Sequence, residues 1–245
     1  MNENYEKAAE IIVNSKQMIA LTGAGISVES GIPDFRSPGG LWEKFDPIEF
    51  AHIDSFRKNP KKIWKLFFSM LDIINKAKFN PAHAALAKLE EMGKLKAIIT
   101  QNIDNLHQEA GSSRVVEYHG NMSRLECLNC NSSYKGDEFT LKGTPPECKK
   151  CGKILKPSAI FFGEMIPQDA LIESQELAES ADAVIVVGTS AVVYPASSIP
   201  HTAKKRGAKI IEMNIEKTGL TTLITDVFIE GKAGKTLPEL LKYMN

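Results

Sequence analysis

Six short segments of this chain have the apolar, β-branched character of strands buried on both faces: Met18–Thr22, Lys96–Thr100, Val115–Tyr118, Ala183–Val187, Lys209–Met213 and Val227–Ile229. Helical patterns lie between them, over Tyr5–Asn14, Ala82–Met92, Gln168–Ser180 and Ala196–Arg206. The second pattern has Asn80 as N-cap, Pro81 at the first helical position and Gly93 at the C-cap, and Gly207 ends the fourth. Strands alternating with helices predict an α/β protein with a mostly parallel sheet covered by helices on both faces.

Two stretches break this rhythm. Phe35–Asn80 holds helix-like segments and three prolines but no clear strand, and Met122–Pro157 is polar and carries all four cysteines. They read as two insertions that form a smaller module beside the main domain. Thirty basic side chains balance thirty acidic ones. That argues against a broad electrostatic grip on nucleic acid or anionic lipid. The N-terminus, MNENYEKAAEIIVNSKQ, is polar and lacks a signal-peptide core, and no apolar stretch has the length of a membrane span. The expectation is a soluble intracellular protein whose cysteines sit in a reducing compartment.

Cys127 and Cys130 are separated by two residues, as are Cys148 and Cys151, with seventeen residues between the pairs. Two such knuckles supply four thiolates for a tetrahedral zinc. The competing readings are unpaired buried thiols or a redox pair, but a redox pair belongs in a βα context and not in a polar insertion. No histidine or water-activating group is evident among the ligands, so the site is closed and structural.

The first strand runs into GAGISVESG. Gly23 and Gly25 permit a tight turn and close approach to a ligand, and Ser27 with the following helix start could hold a pyrophosphate. Only two glycines of the G-x-G-x-x-G dinucleotide fingerprint are present, because Val28 stands where the third would be. Asp34, Phe35 and Arg36 follow, a pattern that fits a phosphate-pairing cation and a ring to cover a heterocycle, or an ordinary surface ion pair. Gly188-Thr189-Ser190, Asn214 with Glu216, and Lys232-Ala233-Gly234 follow other strands. Together these ends describe a crevice for a dinucleotide outside the carboxyl edge of the sheet.

Several longer motifs carry a family resemblance. GAGISVESGIPDFR, TQNIDNLHQEAG, YHG at 118–120, the paired knuckles, FFGE at 161–164, GTSAVVYPA at 188–196 and MNIE at 213–216 occur in this order. The chain resembles the sirtuins, NAD-dependent protein lysine deacylases, over nearly its whole length, in a compact prokaryotic form without added tails. The resemblance implies a Rossmann-like domain from residues 1–35, 81–121 and 158–245. It also implies a small domain from a helical insertion, 36–80, and a zinc ribbon, 122–157. NAD and one structural zinc are the expected cofactors.

The same resemblance assigns roles. Gln101, Asn102, Ile103 and Asp104 would line the nicotinamide end of the NAD pocket, Asp104 accepting from the carboxamide and Asn102 helping to hold the ribose and ordered water. His119 would be the general base that activates the ribose hydroxyls, a role suited to an imidazole titrating near working pH. The acyl oxygen of the substrate lysine would displace nicotinamide, and collapse would give free lysine and 2′-O-acyl-ADP-ribose. Ala24, Ser27, Arg36, Thr189 and Ser190 would contact the phosphates or the nearby ribose, and Gly23, Gly25, Asp34 and Gly188 would also belong to the NAD site. Asn214 and Glu216 would hold the adenosine ribose, Lys232 and Ala233 would also belong to the NAD site, and Phe35 would close over the nicotinamide side.

The peptide would add as a strand between Gly163-Glu164-Met165 and Val192-Val193-Tyr194, a mode that reads side chains weakly. Ile160, Phe162 and Val193 would wall an apolar tunnel for the acylated lysine. Sirtuins that prefer succinyl or malonyl groups place Tyr and Arg three apart in the helical insertion. Phe67 and Met70 stand at the matching positions, so acetyl and longer fatty acyl groups are expected over succinyl. His52, His83, His107 and His201 read as supporting structure. Partners are acylated-lysine proteins, with no membrane and no direct nucleic-acid binding, in the cytoplasm.

Three alternative functions fit parts of the same sequence. ADP-ribosyl transfer would use the same NAD site, and a non-catalytic NAD or ADP-ribose sensor would not need His119. A zinc-ribbon nucleic-acid binder would use a basic edge of Lys149, Lys150, Lys153 and Lys156.

Overall fold

Met18–Thr22 is buried at every position, and its side chains divide strictly by parity. Met18 and Ala20 join one apolar cluster, Ile19 and Leu21 the other. That is the period-two alternation of a strand covered on both faces. The computed structural model describes residues 2–35 and 39–244. Along the chain it contains α1 (Asn2–Asn14), β1 (Met18–Thr22), a 3₁₀ segment (Ala24–Ser30), α2 (Leu41–Lys44), α3 (Pro47–Phe50), α4 (Ile53–Lys58), α5 (Pro60–Ile74) and α6 (Pro81–Glu91). There follow β2 (Leu95–Thr100), α7 (Leu106–Glu109), β3 (Val115–Glu117), β4 (Arg124–Glu126), β5 (Ser133–Lys135) and β6 (Lys156–Pro157). The chain closes with α8 (Gln168–Ser180), β7 (Ala183–Val187), α9 (Ser198–Lys205), β8 (Lys209–Asn214), α10 (Gly219–Leu223), β9 (Val227–Glu230) and α11 (Ala233–Lys242).

The large sheet has the order β3-β2-β1-β7-β8-β9, with every neighbouring pair parallel. Counting only its own strands, this is the 3-2-1-4-5-6 order of a Rossmann-like fold. All six expected strands are present, with ends shifted by at most one residue. Tyr5, Ile12, Leu86, Leu89, Leu237 and Leu240 pack on one face, and Leu177, Ile199 and Ala203 on the other. α6 is fixed by sequence as expected. Pro81 opens it, the Asn80 side chain accepts from Ala82 N at 2.8 Å, and His83 Nδ1 accepts from Asn80 N at 3.2 Å.

The helix expected after the first glycine loop is instead the 3₁₀ segment. The reason lies in the backbone. Gly25 N donates to Gly188 O at 2.8 Å and Gly23 N to Val187 O at 3.1 Å. These contacts draw the loop tightly against the end of β7.

The two irregular stretches share a third core. Ile63, Trp64, Phe67 and Leu71 from α5 pack with Leu125, Cys127, Cys148 and Leu155 from the cysteine-bearing stretch. Strands β5-β4-β6 form its small antiparallel sheet. Trp64 is fully buried, and its indole N–H donates to Leu155 O at 2.8 Å, fastening α5 to the ribbon.

Trp64→Phe should therefore lower unfolding stability by about 1–3 kcal/mol, because it leaves the Leu155 carbonyl buried and unpaired. Urea unfolding followed by far-ultraviolet circular dichroism checks this, and an unchanged midpoint would contradict it.

Candidate active site

The carboxyl ends of β1, β2, β7 and β8 open into one cavity of about 420 Å³. At β1 it is lined by Gly23, Ala24, Gly25 and Ser27, then by Asp34 and Phe35. At β2 it is lined by Gln101, Asn102, Ile103 and Asp104, with His119 beyond β3. Gly188, Thr189 and Ser190 follow β7, Asn214 and Glu216 end β8, and Ala233 opens α11. The small module adds Phe67 and Met70 of α5, with Ile160, Phe162, Gly163 and Glu164, and the β7–α9 loop adds Val193 and Tyr194. Val192 and Lys232, both anticipated from sequence, do not line it. Arg36 lies outside the described residues.

His119 sits against Tyr118, and its Nδ1 is 3.2 Å from Gln101 O. A carbonyl only accepts, so Nδ1 carries the proton and Nε2 of the neutral ring keeps its lone pair. Burial lowers the His119 pKa, against a smaller upward pull from the Gln101 carbonyl, so the ring is neutral at pH 7. Gln101 also ties two strand ends together, its Nε2 donating to Thr189 Oγ1 at 3.0 Å. Asn214 Nδ2 donates to Thr189 O at 3.0 Å, joining a third.

Beneath these residues lies a buried polar network that the sequence did not disclose. Ser27 Oγ donates to Asp104 Oδ2 at 2.7 Å, accepts from Asn102 Nδ2 at 3.1 Å and stands 3.4 Å from His83 Nε2. Its hydroxyl is thus hydrogen-bonded to side chains beneath the cavity. Asp104 Oδ1 accepts from Leu106 N at 3.0 Å, and burial pushes the carboxyl pKa up despite these hydrogen bonds. His83 and His107 meet edge to face at 4.9 Å, and His107 Nε2 is 2.9 Å from Thr22 Oγ1. Thr22 donates in turn to Thr100 Oγ1, which accepts from Asn102 N. His83 and His107 were expected only to support structure; what they support is the orientation of Asn102 and Asp104. Their burial at helix ends left no periodic signal. Glu212 is a further addition: buried on β8, it accepts from the hydroxyls of Thr218, Thr221 and Thr225 at 2.6–2.8 Å and fixes the loop after Glu216.

The cavity also has apolar lining that the sequence did not single out. Leu66 and Ile74 join Phe67 and Met70 along α5, and Leu41, Phe50 and Phe161 complete that side. Phe161 lies 5.4 Å from the Phe67 ring. At the mouth, Met165 and Tyr194 are 89% and 80% exposed, and neither flanking segment forms a strand.

The four cysteine sulfurs lie within 4.8 Å of one another, with Cys127–Cys151 at 3.4 Å and Cys130–Cys148 at 3.5 Å. Tetrahedral zinc with bonds of about 2.3 Å spaces its sulfurs about 3.8 Å apart, so the tetrad fits a structural zinc. The Tyr134 hydroxyl, 3.3 Å from Cys148 Sγ, is the main cause that brings that thiol down to about 6. Of the four ribbon lysines, Lys149, Lys150 and Lys153 are exposed, Lys149 pairing with Glu138 at 2.7 Å and lying over the Phe139 ring, while Lys156 is fully buried and is not part of that edge.

A parallel sheet of this order, with a cleft at its switch point and a cysteine-tetrad module beside it, defines a dinucleotide-binding α/β protein with a zinc ribbon. The Sir2 family model matches residues 23–195. The chain is 49% identical over 241 residues to the NAD-dependent protein deacylase of Thermococcus kodakarensis, covering 96% of this chain and 93% of that protein. It is 50% identical over 246 residues to NAD-dependent protein deacylase 2 of Archaeoglobus fulgidus, covering 99% and 96%. A solved Sir2 enzyme structure superposes with a TM-score of 0.94 at 50% identity, covering 100% of this chain and 98% of that one. A Sir2 homologue in complex with NAD gives 0.91 at 44% identity, covering 98% and 93%. This chain belongs to the Sir2 family.

The buried histidines predict acid sensitivity. Burial lowers His83 to about 4 and His107 to about 3, His107 also feeling His83. Both folded values lie below the unfolded 6.5, so the unfolded chain binds more protons between pH 6.5 and those values. Stability therefore falls as pH drops through that window, by roughly 3 kcal/mol for His83 alone between pH 7 and 4. Asp104 acts in the opposite direction, since its raised carboxyl favours the folded state as pH falls through its own window. Denaturant unfolding at pH 7, 5.5 and 4 should show the net loss, and His83→Gln should flatten the slope below pH 6.5.

Proposed function

We propose that this protein uses NAD to remove acyl groups, chiefly acetyl, from protein lysines, giving nicotinamide, free lysine and 2′-O-acyl-ADP-ribose. The observation that carries this is the single cavity holding a His119 with a free Nε2 lone pair, a desolvated Asn102–Asp104 end and an apolar end. Relatives at about half identity are named NAD-dependent protein deacylases. One solved structure similar to this chain, at 44% identity and TM-score 0.85, is a Sir2 protein bound to a myristoylated histone peptide; it covers 100% of this chain and 97% of that one.

When bound, NAD supplies the nicotinamide leaving group and the ribose that takes the acyl group. Asn102 and Asp104 receive the nicotinamide end, with Ser27 and His83 holding their orientation from below. His119 Nε2 takes a proton from the ribose hydroxyls. Gly188, Thr189 and Ser190 would hold the phosphates and ribose, and Asn214, Glu216 and Ala233 the adenosine end. Phe35, Ile160, Phe162 and Val193 exclude water around the acylated lysine. The exposed segments at 163–165 and 192–194 flank the mouth, where a peptide can pair by its backbone. Four thiolates kept reduced as zinc ligands suit a cytoplasmic location.

With an acetyl-lysine peptide, nicotinamide release should match loss of acetyl groups, and His119→Ala should slow both by about 10²–10⁴. The acid limb of kcat/KM should inflect below pH 6.5, because burial lowers the His119 pKa. Peptide-independent release, or NAD consumption without deacetylation, would point to ADP-ribosyl transfer or glycohydrolysis.

Among the described residues, Phe67 and Met70, flanked by Leu66, Ile74 and Phe161, give the acyl end no cation or donor to meet a carboxylate. A succinyl group would lose its hydration there unpaired. On one peptide sequence, kcat/KM for acetyl should exceed that for succinyl by at least about tenfold. Comparable values would contradict the apolar-pocket reading.

A further inference from the structure

Lys156 has no exposed side-chain surface, which is rare for a lysine outside a paired cluster. Its ammonium lies 2.9 Å from Glu126 Oε1, 3.1 Å from Glu164 Oε2, 2.9 Å from Pro157 O and 2.8 Å from Ala159 O. It also stands 4.7 Å from the centre of the Phe161 ring. Four oxygens compete for three protons, so the ammonium is held from every side. The partners come from two segments, β4 and the 159–164 loop, whose neighbouring apolar residues share one core. Glu126 ends β4, one residue before the zinc ligand Cys127, while Ala159, Phe161 and Glu164 belong to the loop that walls the cavity.

That loop is tied together by the same group. Glu164 Oε2 accepts from Phe161 N at 2.8 Å, which folds the loop over the ammonium. The Phe161 ring is then caught between Lys156 and the Phe67 ring. Ile160 N, in the same loop, donates to His119 O at 2.8 Å. The adenosine end of the cavity, on β7 and β8, shares no residue with this cluster. A buried ion pair of this kind adds little net stability over an apolar replacement, so stability alone gives no reason for it.

We propose that Lys156 is a positioning residue for the acyl-lysine substrate. It fastens the tunnel-wall loop, residues 159–164, to the zinc ribbon and holds the Glu164 carboxylate away from the mouth. The inference rests on the deacylase reading. Its consequence is asymmetric: loss of the ammonium disturbs acyl-lysine binding and leaves dinucleotide binding intact.

The test uses the full-length, zinc-loaded protein and two direct binding measurements. One is the anisotropy of a fluorescein-labelled acetyl-lysine peptide, and the other is calorimetry of ADP-ribose. Lys156→Met should weaken peptide binding at least about tenfold, with ADP-ribose affinity within about twofold and one zinc retained. Lys156→Arg should restore most of the loss, because it keeps the charge and the donors. Glu164→Gln, which keeps the Phe161 bond and removes the ionic tether, should weaken the peptide about threefold or more. The double variant Lys156→Met with Glu164→Gln should recover part of the Lys156→Met loss, since no unpaired carboxylate then remains in the loop. Peptide affinity within twofold of wild type in Lys156→Met overturns the proposal, as does a parallel loss of peptide and ADP-ribose. If Lys156→Met does not fold, unchanged peptide affinity in Glu164→Gln overturns it. A wild type that binds ADP-ribose but no acylated peptide removes the deacylase reading itself and this inference with it.

Discussion

The cleft depends on a backbone-to-backbone contact between the ends of β1 and β7. A Cβ on Gly25 would stand 2.7 Å from Gly188 O, and one on Gly188 would stand 2.4 Å from Ile26 N. Gly188 also has φ +59, in the left-handed region. No side chain fits at either place. From β1 the chain continues to β2 and β3 on one side, and from β7 to β8 and β9 on the other. The contact therefore lies at the point where the sheet reverses its winding, where ligands of open α/β sheets bind. It sets the depth of the cavity floor, and Gln101, Thr189 and Asn214 are then close enough to hydrogen-bond across it. The glycines thus admit the neighbouring strand end, and they also line the cavity.

On that floor, hydrogen-bond direction does the positioning. Asn80 N can only donate, so His83 Nδ1 accepts and the neutral ring carries its proton on Nε2. That proton points at Ser27 Oγ, which also receives the Asn102 amide. With both acceptor positions of the hydroxyl filled, Ser27 must donate, and Asp104 Oδ2 is the recipient. The cap of α6 thus fixes the orientation of a carboxylate in the cleft through two side chains. The chain of direction holds only while His83 is neutral, and its burial, which lowers its pKa to about 4, keeps it so at pH 7.

How much of this could be read in the sequence varies with the kind of signal. The strands were legible because burial on both faces leaves a continuous apolar run. The cysteine tetrad was legible because metal geometry dictates local spacing. The polar strand ends were legible from motif order, and the structure brings most of them to one cavity. His83, His107 and Glu212 were not, because each is a single polar residue whose meaning comes from partners far along the chain. Lys156 shows the limit most clearly. Beside Lys149, Lys150 and Lys153 it looks like one more solvated cation, yet it sits on the β6 strand of a small sheet and faces inward. A pattern of like charges along the sequence carries no information about which of them a distant carboxylate will bury.

Both insertions leave from carboxyl ends of the large sheet, the first after β1 and the second after β3. Connections at the opposite edge are short, as between α6 and β2 or α9 and β8. The placement follows from where ligands bind in an open parallel sheet, since only there can an inserted segment add a wall to the site. The division of chemistry follows in turn. The polar half of the cavity is built from strand ends whose geometry the sheet dictates, while α5 and the 159–164 loop supply most of the apolar half. Substitutions along α5 can reshape that apolar half without moving a strand. Such a wall must still be rigid relative to the sheet, and packing inside the small module alone does not ensure that. The Phe162 backbone pairs with Ala51 and Ile53, and Ile160 N reaches His119 O. The loop is therefore bonded both to the helical insertion and to the edge of the large sheet, so the apolar and polar halves are held in fixed register.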